Sequence, residues 1–68
     1  MSNSTILSGM IIGMENMGAK FIKIDDSYVY FDIKKGSEID DKEHINRAKN
    51  AFNKMFGVGL KIRIKTNI

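Results

Sequence analysis

The clearest periodicity of the chain is an apolar stripe in its second half. Its members are Ile45, Ala48, Phe52 and Met55, which recur at spacings of three, four and three residues. That spacing places them on one face of an α-helix. Asp40 is a residue type that caps helix N-termini, and Glu43 follows it at the spacing of a capping box. We therefore predict an amphipathic helix over residues 41–56, ended by Gly57 in a left-handed conformation.

A β-hairpin is predicted from the residues that precede this helix. Its strands are Lys20–Asp25 and Tyr28–Ile33, and Asp26 and Ser27 form the turn between them. The side chains expected to face the core are Ile22, Ile24, Val29, Phe31 and Ile33. Those expected on the opposite face are Phe21, Lys23, Tyr28, Tyr30 and Asp32. A shift of the pairing by one residue would exchange the two faces.

A further strand is predicted after the helix, because apolar and basic residues alternate there. The inner row consists of Val58, Leu60, Ile62 and Ile64. The outer row consists of Gly59, Lys61, Arg63 and Lys65. A strand with this pattern is half-buried, and its exposed side is a row of cations.

Residues 5–14 fit two periodicities. A helix would gather most of their apolar side chains on one stripe, whereas a strand would divide them between two faces. The members of the helical stripe would be Ile6, Leu7, Met10, Ile11 and Met14. Two interior glycines would destabilise a helix by roughly 1 kcal/mol each, and three isoleucines favour a strand. We predict a strand, preceded by a frayed start at residues 1–4.

Together these elements predict one small α+β domain over residues 1–68. The order strand, strand, strand, helix, strand would form a small antiparallel or mixed sheet, with one amphipathic helix packed on one face. A chain of this length buries only about 60% of the surface that its unfolded form exposes. Its core is therefore small, which raises the expectation of self-association or of a partner.

Composition narrows the possible chemistry. The 68 residues include no cysteine, so disulfides are excluded and a cytoplasmic location is expected. The mean hydropathy is −0.22, and no apolar run approaches the roughly 18 residues of a membrane span, so no membrane partner is expected. A structural zinc site is excluded because one histidine cannot supply four ligands.

Nothing in the sequence points to catalysis. His44 is the only conventional base at neutral pH, and its position at the edge of the apolar stripe fits a packing role. The acidic pairs at residues 25–26 and 40–41 fit a turn and a helix cap rather than a cation site. Residues 57–59 lack the lysine of a phosphate-binding loop. We expect a protein that is not an enzyme and has no catalytic residue, metal or cofactor.

Charge is unevenly distributed along the chain. The net charge is +3. Residues 1–33 carry two cations against four anions, a net charge of −2, whereas residues 34–68 carry nine cations against four anions, a net charge of +5. A cationic half of this kind indicates an anionic partner.

The predicted exposed sheet face combines aromatic rings with cations. When a sheet binds a single strand, rings stack on unpaired bases and flanking cations follow the phosphates. Nucleic acid, with a single strand favoured, is therefore the first predicted partner. The residues predicted to bind it are Phe21, Lys23, Tyr28, Tyr30, Lys61, Arg63 and Lys65. The alternative is a protein-interaction module or small inhibitor, including a homodimer, that uses the same face or an edge strand.

Residues 20–65 contain a hairpin, a capped helix and the segment NKMFGVGLKIRI. This stretch resembles the N-terminal interaction domain of bacterial replication initiators and the C-terminal domain of the clamp-loader tau subunit. Residues 38–68 also resemble the part of GHMP-superfamily kinases that precedes their phosphate loop, a loop that these 68 residues do not contain. Because unrelated families resemble one segment, the shared feature is a strand, helix, strand pattern, which assigns neither family nor activity.

Overall fold

The structure, a computed structural model, describes residues 3–68. Its elements are α1 (Asn3–Asn16), β1 (Ala19–Ile24), β2 (Tyr28–Lys34), α2 (Lys42–Phe56) and β3 (Gly59–Lys65). The predicted α+β class is confirmed, whereas the predicted element order is wrong at its first element. Of the predicted frayed start, Asn3 and Ser4 belong to α1, and residues 1 and 2 lie outside the described residues. No helix within residues 3–68 has the length and apolarity needed to span a bilayer.

The three strands form one mixed sheet with β2 at its centre. β1 pairs with β2 in antiparallel orientation, as the predicted hairpin requires. β3 pairs with the other side of β2 in parallel orientation. Parallel neighbours need a long crossover connection, which α2 provides.

The core lies between the helices and the face of β2 that carries Val29, Phe31 and Ile33. These three side chains are at most 1% exposed, which confirms the inner face predicted for this strand. The buried ring of Phe52 in α2 lies 6.0 Å from the ring of Phe31. Met14 brings α1 to the same cluster. Both helices therefore cover one face of the sheet, and no other described element covers the opposite face.

The prediction of a strand over residues 5–14 is wrong, because this segment belongs to α1. The helical stripe packs against the core through Leu7, Met10, Ile11 and Met14. Gly9 and Gly13 are exposed, so they lower helix propensity without weakening the packing. Burial of one apolar side chain is worth roughly 1.5–3 kcal/mol, which outweighs a loss of about 1 kcal/mol for each glycine.

β1 departs from the predicted faces because a β-bulge lies between Phe21 and Lys23. Phe21 pairs with Phe31 and points to the core, where the two rings meet edge-to-face with centres 5.8 Å apart. The predictions that Phe21 faces outward and Ile22 inward are therefore wrong, and Ile22 is 42% exposed. Lys23 faces outward as predicted, beside Tyr30.

α2 is the predicted amphipathic helix and spans Lys42–Phe56. Its N-cap is Asp41 rather than the predicted Asp40, since the Asp41 carboxylate accepts the backbone N–H of His44. Asp40 instead accepts a backbone N–H of the preceding loop. Gly57 follows the last helical residue with a φ of 68°, which confirms the predicted left-handed end.

Candidate nucleic-acid interface

The uncovered side of the sheet, which we term the outer face, is formed by residues of all three strands. Its members are Lys20, Ile22, Lys23, Tyr28, Tyr30, Asp32, Lys34, Gly59, Lys61, Arg63 and Lys65. The strand register arranges them in rows across the sheet. In the central row, Tyr30 pairs with Lys23 of β1 on one side and with Lys61 of β3 on the other. Tyr30 is thus flanked by a cation on each side.

The two tyrosines of β2 carry lysine ammonium groups over their rings. Lys23 Nζ lies 4.7 Å from the centre of the Tyr30 ring, and Lys61 Nζ lies 4.5 Å from the centre of the Tyr28 ring. The rings meet edge-to-face with centres 6.3 Å apart. Gly59 makes room for the Tyr28 ring, because a Cβ at that position would lie 2.7 Å from it. Rings and cations therefore form one continuous surface.

The turn between β1 and β2 holds the Tyr30 hydroxyl, which donates to Asp25 Oδ2 at 2.9 Å. Asp25 Oδ1 accepts the backbone N–H groups of Ser27 and Tyr28 at 2.9 and 2.8 Å. The Tyr28 N–H is the largest cause that holds the pKa of Asp25 below its ordinary value. The hydrogen bond to Asp25 raises the pKa of Tyr30. The ring of Tyr30 is therefore anchored at its hydroxyl end by a carboxylate that is itself fixed by backbone.

Asp32 is the buried polar residue of the outer face, with 4% of its surface exposed. Its carboxylate accepts from Arg63 Nε at 2.9 Å and from Arg63 Nη2 at 3.2 Å. Lys65 Nζ lies 3.8 Å from Asp32 Oδ2. The hydrogen bonds from Arg63 lower the pKa of Asp32, and they raise the pKa of Arg63. The Arg63 side chain is 70% exposed, so two bonds hold its guanidinium plane in place at the surface.

Six of the seven predicted binding residues lie together on the outer face. They are Lys23, Tyr28, Tyr30, Lys61, Arg63 and Lys65. The prediction for Phe21 is wrong because its ring packs against the core. The sequence prediction missed Lys20 and Lys34. The two-residue alternation of β2, extended one step beyond Asp32, would have found Lys34.

No protein-family model, curated protein or solved structure matches this chain. No family is therefore assigned, and the chemistry of the outer face follows from its own residues. Its cations can bind phosphate oxygens, and its tyrosine rings offer flat surfaces on which bases can stack.

A second concavity, of about 350 Å³, lies between the two helices and is apolar except at His44 and Arg47. His44 Nδ1 lies 2.7 Å from Asp41 Oδ2, and the backbone N–H of His44 is the largest cause that lowers the pKa of Asp41. Among the described residues, no serine, threonine or cysteine lines this groove beside the histidine. Over the same part of the chain, no group of three His, Asp or Glu side chains could hold a metal ion.

Proposed function

We propose that this protein binds nucleic acid through the outer face. The observation that carries the proposal is the concentration of positive charge on that face. Its cations are Lys20, Lys23, Lys34, Lys61, Arg63 and Lys65, and the strand residues of the face include one carboxylate, Asp32. Arg63 already neutralises that carboxylate, so the remaining lysines leave the face positive. Contacts with phosphates supply most of the affinity of non-specific nucleic-acid binding.

Positive charge exceeds negative charge at one end of the outer face. Lys34 and Lys65 are paired across β2 and β3. Lys65 Nζ lies 3.8 Å from Asp32 Oδ2, but the Asp32 carboxylate also accepts two hydrogen bonds from Arg63. One carboxylate therefore faces three cations, and this excess of positive charge favours an anionic ligand over an uncharged one.

The alternative is a protein-interaction module, with a second copy of this chain as the simplest partner. Two outer faces brought together would set six cations against six, which opposes association. Strand pairing is opposed by lysines and an arginine on both edge strands, since charged residues protect edge strands. These residues are Lys20 and Lys23 of β1 and Lys61, Arg63 and Lys65 of β3. Charge therefore favours nucleic acid over either form of self-association.

Anisotropy of a labelled oligonucleotide, measured at two salt concentrations, tests this proposal. Two triple variants that each replace three exposed lysines with glutamine are compared. The test variant changes Lys23, Lys61 and Lys65 of the outer face, and the control changes Lys42, Lys49 and Lys54 of α2. Both variants have the same net charge, but only the test variant has fewer cations on the outer face.

We expect salt-dependent binding by the unmodified protein and by the control. The test variant should bind more weakly, and its slope of log K against log salt should fall by about 0.7 for each phosphate that the replaced lysines no longer neutralise. The proposal is wrong if the unmodified protein shows no salt-dependent binding. Equal decreases in affinity for the two triple variants would also contradict it, because overall charge rather than the outer face would then determine affinity.

A further inference from the structure

The outer face is not flat, because a depression of about 410 Å³ lies over β2. The residues of the outer face that line it are Ile22, Lys23, Tyr30, Asp32, Lys61 and Arg63. Small-molecule sites in proteins measure about 300–1,000 Å³. The depression is therefore of a size to receive one nucleotide, whereas the phosphates of a longer strand would have to lie on the lysines around it.

The β1 bulge supplies an apolar wall to this depression. The bulge between Phe21 and Lys23 turns Ile22 away from the core. The Ile22 side chain is 42% exposed and lines the depression together with Lys23, Lys61 and Arg63. Bulges often re-aim one side chain next to a functional site. An exposed isoleucine contributes nothing to phosphate binding, but it can pack against the edge of a base.

Tyr30 forms the floor of the depression, and its orientation is fixed in the free protein. Its hydroxyl is held by Asp25, which is fixed by two backbone N–H groups. The ring is covered by the ammonium group of Lys23 at 4.7 Å from its centre. An exposed cation–π contact is weaker than stacking of a base on a ring, so a base can replace the lysine, which then remains close enough to contact a phosphate.

Arg63 forms the opposite wall, where Asp32 holds two of its three nitrogens. The third nitrogen, Nη1, has no bond to that carboxylate. A guanidinium held in this way can donate from Nη1 to an acceptor on a base edge or a phosphate. Asp32 is therefore a positioning residue, because it acts through Arg63.

The shape of the outer face favours a single strand over a duplex. The face belongs to a three-stranded sheet, whereas the major groove, about 12 Å wide, admits an α-helix or a two-stranded β-ribbon. The outer face is therefore too broad to enter a groove and reach base edges. An unpaired base in a single strand can instead turn into the depression.

We infer that this depression binds one unpaired nucleobase, packed on Tyr30 between Ile22 and Arg63, and that the ligand of the outer face is therefore single-stranded nucleic acid. This inference rests on the proposed function and adds two points, namely that the nucleic acid is single-stranded and that one of its bases lies in the depression. Two contributions to affinity can then be separated. The lysines contribute through phosphates, and the depression contributes only when a base is present.

Three probes of equal length test the inference: an oligothymidylate strand, an abasic strand with the same phosphates, and a duplex. The unmodified protein should bind the oligothymidylate about tenfold more tightly than the abasic strand, and more tightly than the duplex. NMR signals of Ile22 and Tyr30 should shift with the oligothymidylate and not with the abasic strand. This measurement needs no variant, so it does not depend on whether a variant folds.

Three variants locate the effect. Tyr30→Ala should lose the preference for oligothymidylate over the abasic strand while its affinity for the abasic strand and its salt dependence remain unchanged. Ile22→Ser should weaken the preference. Ile12→Ser is the matched control for Ile22→Ser, because Ile12 is also an exposed isoleucine but lies in α1, on the opposite side of the sheet from the outer face, and it should retain the preference.

The possible failures are distinguishable. Equal, salt-dependent binding of the oligothymidylate and the abasic strand would overturn the base-binding site and leave the proposed function standing. Binding of the duplex as tightly as the oligothymidylate would overturn the single-strand inference. Absence of binding by all three probes would overturn the proposed function and this inference together.

Discussion

At the scale of single residues, Asp32 is the position where the fold and the candidate site meet. It lies on the outer face of the central strand, yet it is buried under the side chains around it. Arg63 satisfies both of its oxygens, and Lys20 lies opposite it on β1. One carboxylate thus reduces the repulsion within a cationic face and also fixes its arginine.

From the ion pair of Asp32 with Arg63 we predict that the protein loses stability in acid. The pKa of Asp32 is lowered in the folded protein, chiefly by Arg63, from an ordinary value of 3.8. A carboxylate whose folded pKa lies below its unfolded pKa stabilises the protein above the unfolded value. That stability is lost as the pH falls through the folded value. In urea unfolding, Asp32→Asn should therefore be less stable than the unmodified protein at neutral pH, and the difference should narrow once the pH falls below 3.8.

The pH profile separates this charge effect from a packing effect of the substitution. Asp26→Asn is the matched control, because Asp26 is an exposed residue of the turn between β1 and β2, away from the ion pair of Asp32 with Arg63. Its stability should differ little from that of the unmodified protein at every pH. A difference for Asp32→Asn that stayed constant from neutral to acid pH would show that the ion pair with Arg63 does not stabilise the fold.

At the scale of elements, the sequence predicted those parts in which one periodicity dominates. α2 has a single apolar stripe and recognisable ends, and β3 alternates strictly. The apolar residues of α1 fit a helical stripe and a strand alike, and its two glycines and three isoleucines favoured the strand until packing against the core decided for the helix. The face of Phe21 was mispredicted because a bulge at Ile22 breaks the two-residue period, and no local residue pattern marks that bulge.

The glycines of α1 allow a test of why this segment is helical. A Cβ added at Gly9 or Gly13 would meet no heavy atom within 4 Å. Gly9→Ala and Gly13→Ala should therefore raise the free energy of unfolding by about 1 kcal/mol each, because alanine has the higher helix propensity. Thermal unfolding followed by circular dichroism would measure this gain.

Gly18, directly before β1, should respond in the opposite direction. Its φ is 107°, a backbone conformation that residues with a side chain rarely adopt, and a Cβ at this position would overlap the Ser37 side chain. Gly18→Ala should lower the free energy of unfolding by more than about 1 kcal/mol.

The prediction for the two glycines of α1 is contradicted if Gly9→Ala or Gly13→Ala destabilises the protein. That result would mean that the exposed side of α1 makes contacts that this fold does not contain.

At the scale of the whole molecule, β2 contributes side chains both to the core and to the outer face. β2 places Val29, Phe31 and Ile33 in the core and Tyr28 and Tyr30 on the outer face. Alternation within a single strand is a local property, so the sequence predicted both sets. The depression could not be predicted in that way, because it requires the β1 bulge and the parallel register of β3, which only the assembled sheet defines.

Because the core contains few side chains, the domain should unfold when one large core side chain is removed. Phe52 is 1% exposed and packs beside Phe31. Truncation of a buried phenylalanine to alanine costs about 3–5 kcal/mol, while a domain of this size has a net stability of only about 3–5 kcal/mol. Phe52→Ala should therefore be largely unfolded at room temperature, with collapsed NMR dispersion. Met55→Ala, on the same helix but 50% exposed, should remain folded, and a folded Phe52→Ala domain would show that stability comes from contacts beyond this core.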